Sequence, residues 1–115
     1  MVSKRDFDET VFNAIKDLME ERFGILAEKY TRNADLYVQG ADAAMRAGDA
    51  EKIAQNVHAL KSSSAMLGFI GFQRCAVEIE AKARRGDTDL RDDLARLKDY
   101  LHHSYVMLEP YLEVR

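Results

Sequence analysis

A histidine followed one helical turn later by a lysine is the feature of this chain that most strongly suggests covalent chemistry. His58 and Lys61 lie in residues 58–68, which read HALKSSSAMLG. A neutral imidazole nitrogen is a competent nucleophile near neutral pH, because its ordinary pKa is about 6.5. The natural covalent product here is phosphohistidine, and the Lys61 ammonium can neutralise part of the phosphoryl charge. The spacing therefore makes His58 a candidate nucleophile that could accept a phosphoryl group.

Small or uncharged side chains surround this histidine at helical spacing, so a partner's surface could approach the imidazole. Residues three, four and seven positions away share its side of a helix, and those neighbours are Ala54, Gln55, Lys61, Ser62 and Ala65. A lone histidine on a helix is more often an ordinary surface residue. The lysine, the small neighbours and a terminating glycine favour a functional interpretation instead.

The composition indicates one helical domain spanning residues 1–115 and argues against several classes of partner. Hydrophobic residues make up 47% of the chain and charged residues 32%, which is typical of a globular protein. A net charge of -3 without a basic tract argues against nucleic acid or an anionic membrane as the partner. The polar N-terminus lacks the features of a signal peptide, and no apolar run approaches the roughly 20 residues of a membrane span.

These observations lead to several further expectations. The single cysteine, Cys75, excludes an internal disulfide and favours a reducing compartment, so we expect a cytoplasmic protein. Its place on an apolar stripe predicts an inert, buried thiol. His102 and His103 are adjacent and point about 100° apart on a helix, which makes them a poor chelating pair. We expect no metal site and no cofactor, and a monomer whose bundle buries its own core.

Apolar residues recur at intervals of three and four along the chain, which predicts one short and four long helices. Helix ends are expected at Gly48, Gly68, Gly86 and Pro110, with Asp49 capping the third helix. Because short connections favour antiparallel neighbours, we expect an all-α antiparallel four-helix bundle with a short extra N-terminal helix. The expected core residues, helix by helix, are Val11, Ile15, Leu18 and Met19; Phe23, Leu26, Tyr30, Ala34, Tyr37, Val38, Ala41 and Met45; Ile53, Val57, Leu60 and Leu67; Phe72, Cys75, Ala76, Ile79 and Ala83; and Leu90, Leu94, Leu97, Leu101, Tyr105 and Leu108.

The third helix places the histidine beside its buried stripe. At about 100° per residue, the stripe consists of Ile53, Val57, Leu60, Ser64 and Leu67. His58 lies about 100° from Val57, so its imidazole should be accessible to solvent at the edge of the stripe.

Residues 58–68 resemble the motif of histidine-containing phosphotransfer (HPt) domains, roughly His-x-Leu-Lys-Gly-Ser-Ser/Ala-x-x-Leu-Gly. The match is ungapped and lies on the expected helix, while residues 47–49 and 85–87 look like the family's loop positions. The predicted helices extend the resemblance over nearly the whole chain. One departure is Ser62, which stands where the family usually has glycine, and this change could slow transfer or alter partner preference.

The resemblance implies a phosphorelay carrier without kinase activity of its own. His58 would accept a phosphoryl group from a receiver-domain phospho-aspartate and pass it to another receiver, with Lys61 stabilising the phosphoryl charge. Glu80 falls where relatives often carry a Gln or Glu that hydrogen-bonds the other imidazole nitrogen. The alternative is that Glu80 is an ordinary solvent-exposed helix residue without this role. The implied partners are response-regulator receiver domains, a hybrid histidine kinase, or both. The receiver would supply the acidic pocket and Mg²⁺.

Docking is expected to use small and apolar residues around the histidine. The predicted partner-binding residues are Ala54, Gln55, Ser62, Ser63, Ala65, Met66 and Phe69. For Met66 and Phe69, packing in the core is the alternative, and the sequence does not decide between the two.

Three other functions remain open from the sequence. The phosphoacceptor helix pair of a histidine kinase usually has Glu or Asp directly after the histidine and a nearby proline, whereas here Ala59 follows and the only proline is Pro110. A non-catalytic helical adaptor could bind receivers without phosphotransfer; intact His58 and Lys61 argue against it, but Ser62 leaves it open. The third is a structural four-helix protein with an incidental histidine.

Overall fold

Five α-helices joined by tight turns make up the part of the chain that the structure describes. A computed structural model describes residues 2–112 of the chain. The helices are α1 (Glu9–Met19), α2 (Phe23–Arg46), α3 (Ala50–Met66), α4 (Ile70–Arg84) and α5 (Arg91–Leu108). Short 3₁₀ turns occupy Lys4–Asp6, Glu20–Arg22 and Glu109–Tyr111. Residues 2–112 contain no strand, and the predicted all-α fold is confirmed.

Helices α2 to α5 form the bundle, and α1 is the short extra helix at its N-terminal end. Helix α3 packs most extensively on α4 and then on α2, while α5 packs on both α2 and α4. The α2–α3 pair is antiparallel: Tyr30 meets Ser64 through a hydrogen bond, and Gly40 lies against Asn56. The predicted antiparallel four-helix bundle is therefore confirmed. None of the helices within the described range is long and apolar enough to cross a membrane.

Glycines with left-handed backbone conformations end α2, α3 and α4. Gly48, Gly68 and Gly86 have φ angles of 69°, 83° and 92°, a region that favours glycine because it has no Cβ. The Asp49 side chain accepts a hydrogen bond from the backbone of Lys52 and caps α3, as predicted. The sequence predicted these helix ends and the Asp49 cap because each depends on residues within one helical turn.

The turn between α3 and α4 also anchors α1. The backbone N–H of Asp8 donates to the carbonyl of Gly68 over 2.8 Å, and the Asp8 side chain caps α1 through the backbone of Val11. A side chain at Gly68 would collide with the Asp8 carbonyl oxygen. The α3–α4 turn is therefore held by its glycine and by the start of α1.

The predicted stripe of α3 is the centre of the core, since Ile53, Val57, Leu60, Ser64 and Leu67 have no measurable exposure. Ser64 is tolerated there because its hydroxyl pairs with that of buried Tyr30 over 2.8 Å.

Three residues assigned to the core by periodicity are exposed instead. Leu18 is 72% exposed because α1 turns Phe12, a residue missing from the predicted core, toward Phe23. Tyr37 and Tyr105 are also exposed, since their chain neighbours Val38 and Ser104 occupy the buried positions. On a helix, adjacent residues point about 100° apart, so only one of each pair can face the core.

Candidate functional site

The α3–α4 hairpin brings the histidine of one helix to a carboxylate of the other. Phe69 lies in the turn that joins these two antiparallel helices. His58 on α3 and Glu80 on α4 are equally many residues before and after it. The His58 Nδ1 is 2.9 Å from Glu80 Oε2. The histidine side chain remains 61% exposed, whereas that of Glu80 is only 10% exposed. The site thus combines an accessible imidazole with a nearly buried acid.

Two cationic side chains share this carboxylate with the imidazole. Lys61 Nζ lies 2.6 Å from Glu80 Oε1. Arg84 donates to the other oxygen, Oε2, from Nε over 3.0 Å and from Nη2 over 2.7 Å. Glu80 is thus paired on both oxygens, which compensates for its removal from water.

The ionisation of Glu80 determines which imidazole nitrogen carries the proton. Burial alone would raise the pKa of Glu80, but hydrogen bonds from Lys61, Arg84 and His58 outweigh it and lower the pKa to about 2. An ionised carboxylate can only accept hydrogen bonds. His58 Nδ1 must therefore be the donor, and in the neutral imidazole the free lone pair lies on Nε2, at the far side of the ring.

Lys61 is held by the carboxylate in this structure. Its side chain is 30% exposed and its ammonium is bound to Glu80. Because Lys61 lies on the same helix face as His58 and has a flexible four-carbon stem, its ammonium can move between the carboxylate and a group on the imidazole.

The predicted partner-binding residues divide between an exposed ridge and buried positions. Gln55, Ser62 and Met66 are exposed and form a ridge beside His58 on α3, which we call the α3 ridge. Ser63 and Ala65 are half-buried, and the Ser63 hydroxyl donates within its own helix to the carbonyl of Ala59.

Two of the predicted contact residues, Ala54 and Phe69, are buried, and for Phe69 this is the core packing that the sequence left open as the alternative. Ala54 has no exposed surface and Phe69 is 1% exposed. Ala54 is part of the hydrophobic core of the bundle, and Phe69 packs among the rings of Tyr30, Phe12 and Phe7. Neither side chain is available to a partner in this structure.

A groove between α2 and α3, which the sequence did not reveal, borders the α3 ridge on the side away from Glu80. Its volume is about 290 Å³. We call it the α2–α3 groove; its lining residues are Leu26, Lys29, Tyr30, Asn33, Ala34, Tyr37, Ala59, Ser63 and Met66. The exposed apolar surface of Met66 and Tyr37 gives this groove a partly apolar lining beside the histidine.

The remaining titratable candidates have structural surroundings. Cys75 is buried, and burial raises the pKa of its thiol to about 11. His103 packs edge-on against the rings of Phe7 and Phe69, while His102 is exposed. Across residues 2–112, no group of three or more His, Cys, Asp or Glu residues is arranged to hold a metal ion.

Comparisons with known proteins found a matching family model and a solved structure of similar fold. The family model described as Hpt domain matches residues 26–104. The crystal structure of histidine-containing phosphotransfer protein B (HptB) from Pseudomonas aeruginosa PAO1 has a similar fold, with a TM-score of 0.87 and 20% sequence identity over 94% of this chain and 95% of that chain. A search of curated protein sequences found no match.

The lowered pKa of Glu80 predicts a pH-dependent contribution to stability. Between the folded pKa of about 2 and the ordinary value of 4.5, the unfolded chain binds more protons, so this contribution falls as pH falls through that range. Replacing Glu80 with Gln should cost on the order of 1–2 kcal/mol at pH 7, a value reduced by the solvent exposure of its partners. Urea unfolding of both proteins from pH 7 to pH 3 measures the difference, which should shrink below pH 4.5. A constant difference would contradict the ionised pairing.

Proposed function

The chain belongs to the Hpt domain family, with a role in phosphotransfer relays, and on that premise we propose that His58 is its phosphoacceptor. His58 would take a phosphoryl group from the phospho-aspartate of a response-regulator receiver domain and pass it to the aspartate of another receiver. A hybrid histidine kinase is a suitable source when its own receiver carries the phosphate.

The observation that carries this proposal is the bond between His58 Nδ1 and the ionised Glu80. It directs the imidazole lone pair to Nε2, on a ring that is 61% exposed. A nucleophile needs both an available electron pair and an approach path, and this site supplies the two together.

The transfer step can be written with its atoms and charges balanced. The Nε2 lone pair forms a bond to phosphorus, and the bond from phosphorus to the aspartate oxygen breaks with its electron pair left on the aspartate. The Nδ1 proton stays in place, so the ring becomes an imidazolium that Glu80 stabilises. Delivery to the second receiver is the reverse of this step. The receivers supply Mg²⁺ and an acidic pocket, so this chain mainly presents the nucleophile.

The α3 ridge and the α2–α3 groove together provide a surface for the receiver. Gln55 and Ser62 are exposed beside His58, while Met66 supplies exposed apolar area at the edge of the groove. An apolar contact next to the reacting nitrogen can give affinity while leaving the imidazole exposed.

A receiver-binding adaptor without transfer is the second candidate, and Ser62 is the observation that favours it. Its exposed side chain lies one helical turn from His58, where the family usually has glycine. A hydroxymethyl group there occupies space that the docked receiver and phosphoryl group would use.

Replacing His58 with Gln tests the proposed acceptor directly. Purified receivers carrying labelled phosphate should transfer label to the wild-type chain in acid-labile form, and the H58Q variant should accept none, since glutamine has no nucleophilic ring nitrogen. The matched control is H102Q, which changes an exposed histidine on α5 and should accept label as the wild type does.

The outcomes separate the candidate functions. Label on H58Q would contradict the acceptor assignment. Binding of a receiver to the folded wild type without any transfer would contradict the phosphorelay and favour the adaptor.

Replacing Met66 with Glu tests the docking surface. The added charge should weaken receiver binding by roughly tenfold, because an unpaired carboxylate would be desolvated at the contact. Direct labelling of His58 by the small donor phosphoramidate should be unchanged. V106E is the control, since Val106 on α5 is similarly exposed, at 51% against 45% for Met66. Isothermal titration with a receiver measures both affinities, and equal losses would contradict the assigned surface.

A further inference from the structure

Glu80 holds two cations although it carries only one negative charge. Lys61 occupies Oε1 at 2.6 Å, and both Arg84 contacts are made to Oε2, which His58 also uses. Lys61 comes from α3, whereas Arg84 lies one turn after Glu80 on α4. Either cation alone would neutralise the carboxylate, so one of them can leave without exposing an unpaired charge.

Phosphorylation of His58 changes the charges around this carboxylate. The ring gains one positive charge and the phosphoryl group brings about two negative charges on the far side of the ring. Lys61 is then repelled by the imidazolium near Glu80 and attracted by the phosphoryl oxygens. Because Lys61 follows His58 by three residues on α3, its ammonium can reach either group.

We propose that Arg84 is a positioning residue that keeps Glu80 paired while Lys61 moves from Glu80 to the phosphoryl group on His58. This inference rests on the proposed function and extends it to the residue that makes Lys61 available. The planar guanidinium of Arg84 suits this task, because Nε and Nη2 both donate to Glu80. Both residues lie on α4, so this pairing does not depend on α3.

Loss of Arg84 should keep the Lys61 ammonium bound to Glu80. Glu80 has only 7% of its surface exposed, and a nearly buried carboxylate that loses its cations is costly. Without Arg84, Lys61 and the imidazolium of His58 would be the cations left on Glu80, so Glu80 would hold Lys61 more strongly and the phosphoryl group would compete less well for it.

A double-mutant cycle distinguishes this indirect role from a purely structural one. His58 is phosphorylated with phosphoramidate in the presence of excess ammonia, and the equilibrium constant for phosphoryl exchange is measured for the wild type, R84Q, K61Q and the double variant. R84Q should lower the constant roughly two- to fivefold, the size of one partly exposed ion pair. In the K61Q background, R84Q should have no further effect, because the lysine through which it acts is gone.

Two matched variants control for charge and for folding. R85Q removes the same charge from the next residue, whose exposed side chain makes no ion pair with any described residue, and should leave the constant unchanged. R84K keeps a cation on Glu80 and should recover part of the loss. Circular dichroism confirms that each variant is folded.

The nitrogen resonance of the Lys61 side chain provides a second readout. It should shift on phosphorylation of the wild type and shift less in R84Q. Equal effects of R84Q with and without K61Q, or a Lys61 resonance that phosphorylation leaves unchanged, would overturn the role of Arg84 alone. Absence of any phosphohistidine in the folded wild type would overturn the proposed function, and this inference with it.

Discussion

A nearly buried, ionised carboxylate between two helices governs the chemistry of this site. Glu80 carries a negative charge at a position from which water is largely excluded, so it must be paired. Its partners are the two groups proposed to take part in phosphoryl transfer, His58 and Lys61, together with Arg84. Under the proposed function, this one carboxylate fixes the imidazole tautomer, holds the Lys61 ammonium and balances the charge of the imidazolium.

The fold serves this pairing through the geometry of the α3–α4 hairpin. Gly68 ends α3 in a conformation that favours glycine, and the backbone of Asp8 binds the same turn. A shift of one residue along α4 would rotate Glu80 by about 100° away from His58. The tight turn and its contact with α1 therefore help to fix the register on which the histidine–carboxylate bond depends.

The sequence predicted the features that depend on a single helix. The exposure of His58, the buried stripe with Ser64, and the glycine-ended helices follow from periodicity and local turn chemistry. The contact of Glu80 with His58 was suggested by family resemblance alone, and its alternative as a solvated residue stayed open. A helical pattern does not determine how the neighbouring helix is rotated.

The errors have the same origin. Ala54 lies about 40° from His58 around α3, and its small size was interpreted as space for a partner. That space is filled by the core of the bundle, in which Ala54 is fully buried. The α2–α3 groove was missed because it depends on which residues of α2 face away from the core. The pairing of Arg84 with Glu80, one turn earlier on α4, was also missed.

The tautomer of His58 is the most direct measure of this account. A long-range proton–nitrogen correlation spectrum of the neutral imidazole, recorded at alkaline pH, distinguishes the protonated ring nitrogen from the unprotonated one. The account predicts a protonated Nδ1 and an unprotonated Nε2, because ionised Glu80 accepts the Nδ1 proton. A ring protonated mainly on Nε2 would contradict it, since the nucleophilic electron pair would then point at a carboxylate instead of toward a partner.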